Sequence, residues 1–381
     1  MRNATRTISC ALLALLLCCL PFIASAAPEH GDDCWWCARK EFSLDDEAAV
    51  WQYLMADITV LDVEMRETVT LLDAPNGEPL LTGKYEGFFY GTSASVHVLE
   101  EKDGWALIEG YDDRNQLLQG YVRSSLLKTA SPDPTYGIVV DKQTQRLYLY
   151  EAGALKSELL VSTGLPNEDQ PYNETAAGEY LLASRTGGFW SGNMYCDMGI
   201  RYNGGDLLHL VPCLVNADET RNHAPFEPLL GKRASHGCIR VQRIANNDGI
   251  NMAWLWNNLP RNTKLIIWDD TDRPMLYPDD NMPIYYNPNN GKNYHADQYC
   301  SGVKDRFLPL TGFRYAELRV APFSALTPCP YCQPPMMPQE IDAHNEKLGV
   351  APPGAMPEAV PEVLPEMEIA LPNEQDVSFS F

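Results

Sequence analysis

The chain has 381 residues, with 51 acidic and 29 basic side chains and a formal net charge of −22 at pH 7. This length predicts two or three domains. The strongly negative charge argues against electrostatic binding to nucleic acid or to an anionic membrane surface.

Residues 1–26 have the pattern of a secretory signal. Arg2 and Arg6 precede an apolar run over 10–20, and small residues at 24–26 fit a cleavage site. The run is short for a membrane span, so we expect cleavage near Ala27 and no span afterwards. Eight of the 11 cysteines would then remain in an exported chain, where disulfides persist.

Residues 27–63 contain a Cys-x-x-Cys motif formed by Cys34 and Cys37. Such a pair serves as a redox centre, as half of a metal site or as a structural disulfide. No thioredoxin-like βαβ pattern surrounds it, which argues against redox chemistry. We therefore favour a structural pair, and we expect a short amphipathic helix over 42–55.

Residues 64–130 carry a series of short strands, expected at 67–72, 95–100, 105–110 and 120–122 because apolar and polar residues alternate there. The order of a strand, a DGW turn, a second strand and GYV resembles a bacterial SH3-like barrel. That resemblance implies binding of a peptide or of the cell wall through exposed aromatic residues. A spacer domain whose aromatic residues form the core is the alternative. A Pro-containing linker follows at 131–134.

The motif ASHGCIR at 234–240 places a cysteine after glycine, two residues after histidine and before an apolar strand. This pattern predicts a nucleophile on a tight turn, which needs a base and backbone N–H groups for the oxyanion. Strands at 136–141 and 145–150, VSTG, TAAGEY and a histidine-bearing strand at 206–212 precede it. Together these motifs resemble the catalytic domain of L,D-transpeptidases, the cysteine enzymes that cross-link peptidoglycan.

The resemblance implies a mostly β domain over 135–270 with Cys238 as the nucleophile and His209 as the proton acceptor. It also implies that the SHGC turn supports the cysteine and supplies the oxyanion donors, through Ser235, His236 and Gly237. Arg240 either holds a peptide carboxylate or forms an ion pair with the groove wall.

Two features depart from the family pattern. Leu210 follows His209 where a small polar residue is common, so we expect a backbone carbonyl to orient the imidazole. The interval between His209 and Cys238 is also long, and we expect its 214–233 segment to cover or shape the acceptor site. His223 in this segment is the rival base.

A disulfide is predicted beside the histidine strand. The sequence NGGD at 203–206 indicates a two-residue hairpin turn. In that register Cys196 faces Cys213 at a non-hydrogen-bonded position, where Cα atoms approach to about 4.5 Å. The same register places Ile200 opposite His209.

After a helix expected over 249–259 and a strand over 264–268, residues 283–333 form a Cys/His-rich module. Three thiolates and one imidazole complete a tetrahedral zinc shell, and the candidate ligands are His295, Cys300, Cys329 and Cys332. Cysteine parity supports zinc, because an all-disulfide scheme leaves one cysteine unpaired once Cys238 is set aside. A disulfide-bonded knot is the alternative in an exported chain.

Residues 334–381 are rich in Pro, Glu and Ala and predict a disordered tail. The chain as a whole is therefore predicted to be mainly β, secreted and associated with the cell wall. The expected partners are peptidoglycan stem peptides, with no nucleic acid and no cofactor for catalysis. The predicted activity is transfer of a stem peptide through a cysteine thioester to an acceptor amine. An L,D-carboxypeptidase or endopeptidase on the same site, or a non-catalytic wall-binding protein, are the alternatives.

Overall fold

The structure is a computed structural model that describes residues 30–353, and it divides into two compact units at the boundary between Arg273 and Pro274. The predicted signal at 1–26 and the part of the predicted tail beyond 353 lie outside the described residues. Among the helices that the structure describes, none combines the length and apolar character needed to cross a bilayer.

Strands dominate the described chain, which confirms the mainly β prediction. The helices are α1 (Trp35–Ala38), α2 (Glu47–Met55), α3 (Met252–Asn258) and α4 (Pro338–Lys347). The strands up to the linker are β1 (Ile58–Leu61), β2 (Thr68–Thr70), β3 (Leu81–Thr82), β4 (Tyr85–Glu86), β5 (Phe88–Tyr90), β6 (His97–Lys102), β7 (Trp105–Tyr111), β8 (Leu117–Arg123) and β9 (Leu127–Ala130). The next strands are β10 (Tyr136–Asp141), β11 (Arg146–Glu151), β12 (Ala154–Ser162), β13 (Gly178–Leu181), β14 (Arg185–Ser191), β15 (Met194–Asn203), β16 (Asp206–Leu210), β17 (Leu214–Val215), β18 (Arg221–Asn222), β19 (Ile239–Val241) and β20 (Lys264–Trp268). The second unit contains β21 (Pro283–Tyr286), β22 (Asn293–His295), β23 (Thr311–Arg314) and β24 (Thr327–Pro328).

A nine-stranded mixed sheet forms the centre of the first unit, in the order β13-β20-β10-β11-β12-β19-β16-β15-β14. Its middle strands are apolar on both faces because both faces are covered. On one face Val139 and Ile266 pack with Leu54 of α2 and with the tryptophans of α1. On the other face Ile138 and its neighbours pack with Met252 of α3.

Helix α2 begins at Glu47, five residues after the predicted start, because Asp46 caps it. The Asp46 carboxylate accepts a hydrogen bond from the Ala49 N–H at 3.1 Å. At the other end of the helix, the buried Lys264 Nζ donates to the carbonyl oxygens of Tyr53 and Ala56 at 2.7 and 3.0 Å. A sheet side chain therefore satisfies carbonyl groups that the helix end leaves unpaired.

Residues 58–130 form short antiparallel sheets around a core of their own. Leu61, Leu71 and Ile108 are fully buried in this core. Pairing of Ile58 with Ala130 joins β1 to β9, so this region begins before the predicted boundary at 64. The resemblance to an SH3-like barrel stays a prediction.

The second unit contains a four-stranded sheet in the order β23-β21-β22-β24. Helix α4 belongs to this unit, since Ile341 is buried and the Asn345 side chain accepts a hydrogen bond from the Met275 N–H at 2.6 Å. Arg319 also pairs with Asp342 of the helix at 2.6 Å. The prediction of disorder from 334 onward is therefore wrong for this helix, because it buries apolar and hydrogen-bonding side chains despite the Pro- and Glu-rich composition.

Candidate active site

Two parallel strands bring the predicted base and nucleophile together. In the register of β16 and β19, Leu208 pairs with Ile239 and His209 pairs with Arg240. Cys238 directly precedes β19 and therefore lies beside the beginning of β16. Cys238 and His209 line one small cavity of about 30 Å³, whose other lining residues are Phe189, Ser191, Met194, Cys196, Ser235, His236 and Arg240.

The turn before Cys238 requires glycine. Gly237 has a φ of +114°, and a Cβ added there would lie 2.8 Å from Asp206 Oδ1. The Ser235 hydroxyl donates to the Cys238 carbonyl oxygen and accepts from the Gly237 N–H at 3.3 Å. Ser235 thus supports the turn that carries Cys238.

A buried threonine holds the same turn from the other side. The Thr175 hydroxyl donates to the Gly237 carbonyl oxygen at 2.6 Å and accepts from the Gly164 N–H at 2.8 Å. The Tyr202 hydroxyl donates to the same Gly237 carbonyl at 3.4 Å. The cysteine turn is therefore fixed by hydrogen bonds to two other segments of the domain.

His209 is oriented by its own neighbour in sequence. Its Nδ1 lies 2.6 Å from the Leu210 carbonyl oxygen, so the Nδ1–H donates to that oxygen and Nε2 keeps a lone pair. This contact confirms the expectation that a backbone carbonyl orients the ring. The Phe189 ring meets the imidazole edge to face at 5.5 Å. Burial is the main cause that lowers the pKa of His209 to about 4; the Leu210 hydrogen bond opposes this shift and the charge of Arg240 adds to it.

The thiol is held in its protonated form. Burial raises the pKa of Cys238 to about 12, with a further contribution from the negative charge of Asp206. Burial and the charge of Asp113 raise the pKa of Asp206 itself to about 7. The thiol and the imidazole that line this cavity are therefore both neutral at rest, so an attack by Cys238 would require proton transfer and not a preformed ion pair.

Arg240 is a buried cation in this cavity. Its side chain is 4 % exposed, and its Nε has no hydrogen-bond partner among the described residues. No ion pair within residues 30–353 includes Arg240. The sequence allowed two roles for Arg240. The structure does not form one of them, the ion pair with the groove wall.

Part of the chain is similar to a known protein family. Residues 135–267 match the YkuD family, the L,D-transpeptidase catalytic domain. The putative L,D-transpeptidase YciB of Bacillus subtilis (strain 168) is 26% identical over 137 residues, which cover 34% of this chain and 64% of that protein. This chain therefore spans less than two thirds of the curated relative that it matches.

Solved structures are also similar to this chain. An L,D-transpeptidase from Mycobacterium smegmatis is 10% identical, with coverage of 57% of this chain and 92% of that chain and a TM-score of 0.28. L,D-transpeptidase 3 from Mycobacterium tuberculosis, in complex with a faropenem-derived adduct, is 16% identical, with coverage of 43% and 68% and a TM-score of 0.27.

The rival base of the YkuD domain lies elsewhere. His223 Nδ1 is within 2.9 Å of the Pro212 carbonyl oxygen and 3.1 Å of that of Val211. His223 does not line the cavity that contains Cys238, and neither does any other residue of 214–233. Part of that segment forms the β17–β18 hairpin instead.

The predicted disulfide of the YkuD domain is wrong. The hairpin turn after Asn203 forms as expected, but the register shifts between Arg201 and Asn203. As a result Tyr195, and not Cys196, lies opposite Cys213. Because successive side chains of a strand point to opposite faces, the Cys196 and Cys213 side chains diverge, and both thiols are free.

The same shift changes two further neighbours in the YkuD domain. Ile200 pairs with Leu208, so the predicted pairing of Ile200 with His209 is wrong. Cys196 lines the cavity that contains Cys238 and does not form a disulfide with Cys213.

Several residues contribute to this site in ways that the sequence did not predict. Thr175 begins the TAAGEY motif, so its position was visible but its bond to the cysteine turn was not. Asp206 was assigned only to the hairpin, and Phe189 and Tyr202 carried no signal of their own. Each of these residues acts through a contact that is distant in sequence.

The candidate zinc ligands of the second unit come together in one group, which we call the C-terminal cluster: His295, Cys300, Cys329 and Cys332. The ligand atoms of the cluster all lie within 4.8 Å of one another. The sulfur atoms of Cys300 and Cys329 are 3.8 Å apart, and Cys332 Sγ lies 3.7 Å from His295 Nδ1. A disulfide needs sulfur atoms about 2.05 Å apart, whereas two thiolates on one zinc ion with Zn–S bonds of about 2.3 Å stand about 3.8 Å apart.

Proposed function

We propose that the YkuD domain is a peptidoglycan L,D-transpeptidase that forms a thioester on Cys238. The observation that carries this proposal is the pairing of β16 with β19, because it lets a histidine with a free Nε2 line the same cavity as the cysteine. The family match supports the reaction class. The substrate, a peptidoglycan stem peptide, is the one that this family implies.

Acylation begins with proton transfer. His209 Nε2 takes the Cys238 proton as the sulfur attacks the carbonyl carbon of the donor peptide bond. The backbone N–H groups around Gly237 and Cys238 stabilise the oxyanion. The C–N bond then breaks, the imidazolium returns its proton to the leaving amine, and a thioester remains on Cys238.

Resolution of the thioester reverses the proton path. An acceptor amine attacks the thioester carbon and gives a proton to His209, the C–S bond breaks, and the imidazolium reprotonates the sulfur. The products are a new peptide bond and the free thiol. Water in place of the amine gives hydrolysis, so exclusion of water decides the outcome.

Arg240 is the candidate for substrate selection. A buried guanidinium with no carboxylate partner among the described residues is costly unless a ligand supplies the missing charge. Stem peptides contain carboxylates, and a carboxylate matches the two-pronged geometry of guanidinium. We assign Arg240 to binding a carboxylate of the donor peptide.

The decisive experiment is intact-mass spectrometry of the chain after incubation with a carbapenem, and then with a stem tetrapeptide with and without an amine acceptor. We expect a covalent adduct on Cys238 and a cross-linked product. Cys238→Ala is the matched control and should form neither. An adduct with only shortened peptide would instead identify a carboxypeptidase, and a folded, reduced chain that forms no adduct would contradict the enzyme.

We also propose that the C-terminal cluster binds a structural zinc ion. The 3.8 Å sulfur separation and the presence of three thiols and one imidazole support this assignment. Zinc analysis of the full chain refolded with Zn²⁺ tests it. Cys300→Ser with Cys329→Ser should remove one zinc ion per chain, and Cys213→Ser should remove none. A Cys300–Cys329 disulfide in mass mapping of unreduced protein would contradict the proposal.

The signal-like segment at 1–26 supports a proposal about location. We infer that the chain is exported and acts at the cell wall, as the family match also favours. Fractionation of cells that express the full chain tests this, because the mature form, cleaved near Ala27, should appear outside the cytoplasm. An uncleaved cytoplasmic chain would contradict the proposal.

A further inference from the structure

A second group of metal-ligating side chains lies in the first unit. We call it the N-terminal cluster, and its members are His30, Cys34, Cys37 and His97. One ligand atom from each residue lies within 4.8 Å of the ligand atoms of the other three. Three of these residues come from the segment around α1, and His97 begins β6, so the cluster joins two parts of the chain.

We propose that the N-terminal cluster binds a zinc ion that fastens the α1 segment to strand β6. Two thiolates balance the charge of Zn²⁺, and two neutral imidazoles complete a tetrahedral Cys₂His₂ shell. Ion binding displaces one proton from each thiol to solvent, so the complex is formally neutral.

The distances within the cluster fit such a shell. Cys37 Sγ lies 3.3 Å from His97 Nε2. A sulfur and a nitrogen bound tetrahedrally to one zinc ion stand about 3.5 Å apart, given bonds of about 2.3 and 2.0 Å. Cys34 caps α1, and its sulfur accepts a hydrogen bond from the Cys37 N–H at 3.4 Å. The first helical turn therefore brings both sulfurs to one side.

A carboxylate lies behind His97. The Nδ1 of His97 is 3.4 Å from Glu109 Oε1, an ion-pair distance without a hydrogen bond, and its Nε2 is directed at Cys37. The Glu109 carboxylate is itself fixed, because it accepts hydrogen bonds from Trp36 Nε1 at 2.6 Å and from Gln119 Nε2 at 2.9 Å. A carboxylate behind a ligating histidine fixes the ring and strengthens its lone pair.

His30 shows the same arrangement with a backbone group. Its Nε2–H donates to the Val98 carbonyl oxygen at 2.9 Å, and Nδ1 keeps the lone pair that can bind a metal ion. The His30 and His97 rings stack with centroids 4.0 Å apart. Stacking holds the two imidazole rings face to face.

These contacts favour metal over the structural disulfide expected from the sequence. A Cys34–Cys37 disulfide gives no role to two histidines, and both cysteines are free thiols in the structure. The Cys-x-x-Cys motif contains only half of the site, because His97 is 60 residues from Cys37. Pairing of β6 with β7 and the burial of the α1 tryptophans bring the two halves together.

Zinc counting in the full chain, refolded with Zn²⁺ under reducing conditions and freed of excess metal, tests the proposal. The double variant Cys300→Ser with Cys329→Ser removes the C-terminal cluster from the count. In that background we expect one zinc ion per chain, which is lost when Cys34→Ser and Cys37→Ser are added. Cys213→Ser in the same background is the matched control and should keep the ion. A folded background variant that binds no zinc would overturn the proposal.

Single substitutions that leave both cysteines of the cluster in place test the proposal even if the multiple cysteine variant does not fold. Glu109→Gln should weaken zinc binding about 10- to 100-fold, because it removes the negative charge behind His97 and leaves all four ligands in place. His97→Cys should retain the metal, and with Co²⁺ as the probe it should increase the thiolate-to-metal charge-transfer absorption. Zinc affinity unchanged by Glu109→Gln and by His30→Ala would contradict the assignment. A Cys34–Cys37 disulfide in the exported, unreduced protein would also overturn it.

Neither the binding of zinc nor its loss from the N-terminal cluster depends on catalysis. Loss of zinc from the N-terminal cluster and loss of thioester formation are measured separately. The metal proposal therefore stands or fails apart from the proposed function.

Discussion

His209 and Arg240 occupy paired positions on the parallel strands β16 and β19. Because Cys238 lies two residues before Arg240, the proposed base, the proposed nucleophile and the cation have positions fixed by one stretch of backbone hydrogen bonding. A site built on sheet strands is held more precisely than one built on loops. The catalytic roles of these residues can therefore be tested by single substitutions.

Removal of the base is the first prediction. His209→Gln should lower the rate of thioester formation about 10²- to 10⁴-fold, because no group takes the Cys238 proton during attack. The measurement is the rate of carbapenem adduct formation by intact mass. His223→Ala is the matched control and should leave the rate unchanged. A loss of rate in the His223 variant alone would identify His223 as the base.

The pH dependence of acylation follows from burial of both groups. Burial lowers the pKa of His209 to about 4 and raises that of Cys238 to about 12. A protonated imidazole accepts no proton, so the rate should fall only below about pH 4 and stay level through neutral and mildly alkaline pH. Adduct formation should be measured across that range. An acid limb near pH 6.5, the ordinary histidine value, would contradict the buried base.

Removal of a charge near the thiol should make the cysteine more acidic. After burial, the negative charge of Asp206 is the next largest cause that raises the pKa of Cys238. Asp206→Asn should lower that pKa and speed alkylation of Cys238 by iodoacetamide above pH 7, where the native carboxylate is charged. Peptide mapping isolates Cys238 from the other thiols. Asp218→Asn, in an exposed turn, should have no effect.

Addition of a single methyl group should disable the cysteine turn. Gly237→Ala forces a side chain onto a backbone with φ of +114°, with its Cβ 2.8 Å from Asp206 Oδ1. The strain should lower the free energy of unfolding by about 1–3 kcal/mol and displace Cys238, with a matching loss of carbapenem acylation. Gly205→Ala is the control, because nothing lies within 4 Å of its added Cβ. Equal effects of the two substitutions would refute the argument.

Local patterns predicted the parts of the chain that local physics determines. The continuous apolar runs of β10 and β20 predicted these strands to the residue, since buried strands need little besides apolar β-forming side chains. The orienting role of the Leu210 carbonyl followed from the lack of an acceptor on the leucine side chain. These inferences needed no knowledge of distant neighbours.

Strand register and long-range contacts could not be predicted from local sequence patterns. The register of β15 and β16 shifts between Arg201 and Asn203. Because of this shift, Cys196 lies on the opposite face of the strand from the one predicted, and the predicted disulfide does not form. Helix α4 was hidden by a Pro- and Glu-rich composition typical of disorder, although Pro338 stands at the first helical position, where proline is favourable. The bond from Thr175 to the cysteine turn joins segments 62 residues apart.

The buried environment of Cys238 also bears on its chemical survival. Peroxides and mixed disulfides react with the thiolate, and a thiol whose pKa lies near 12 exposes almost none of that form at neutral pH. The neutral His209 beside it does not deprotonate it at rest. Under the proposed function, Cys238 is therefore shielded from oxidation between turnovers and gains its reactivity only while a peptide carbonyl is in position to receive the electron pair.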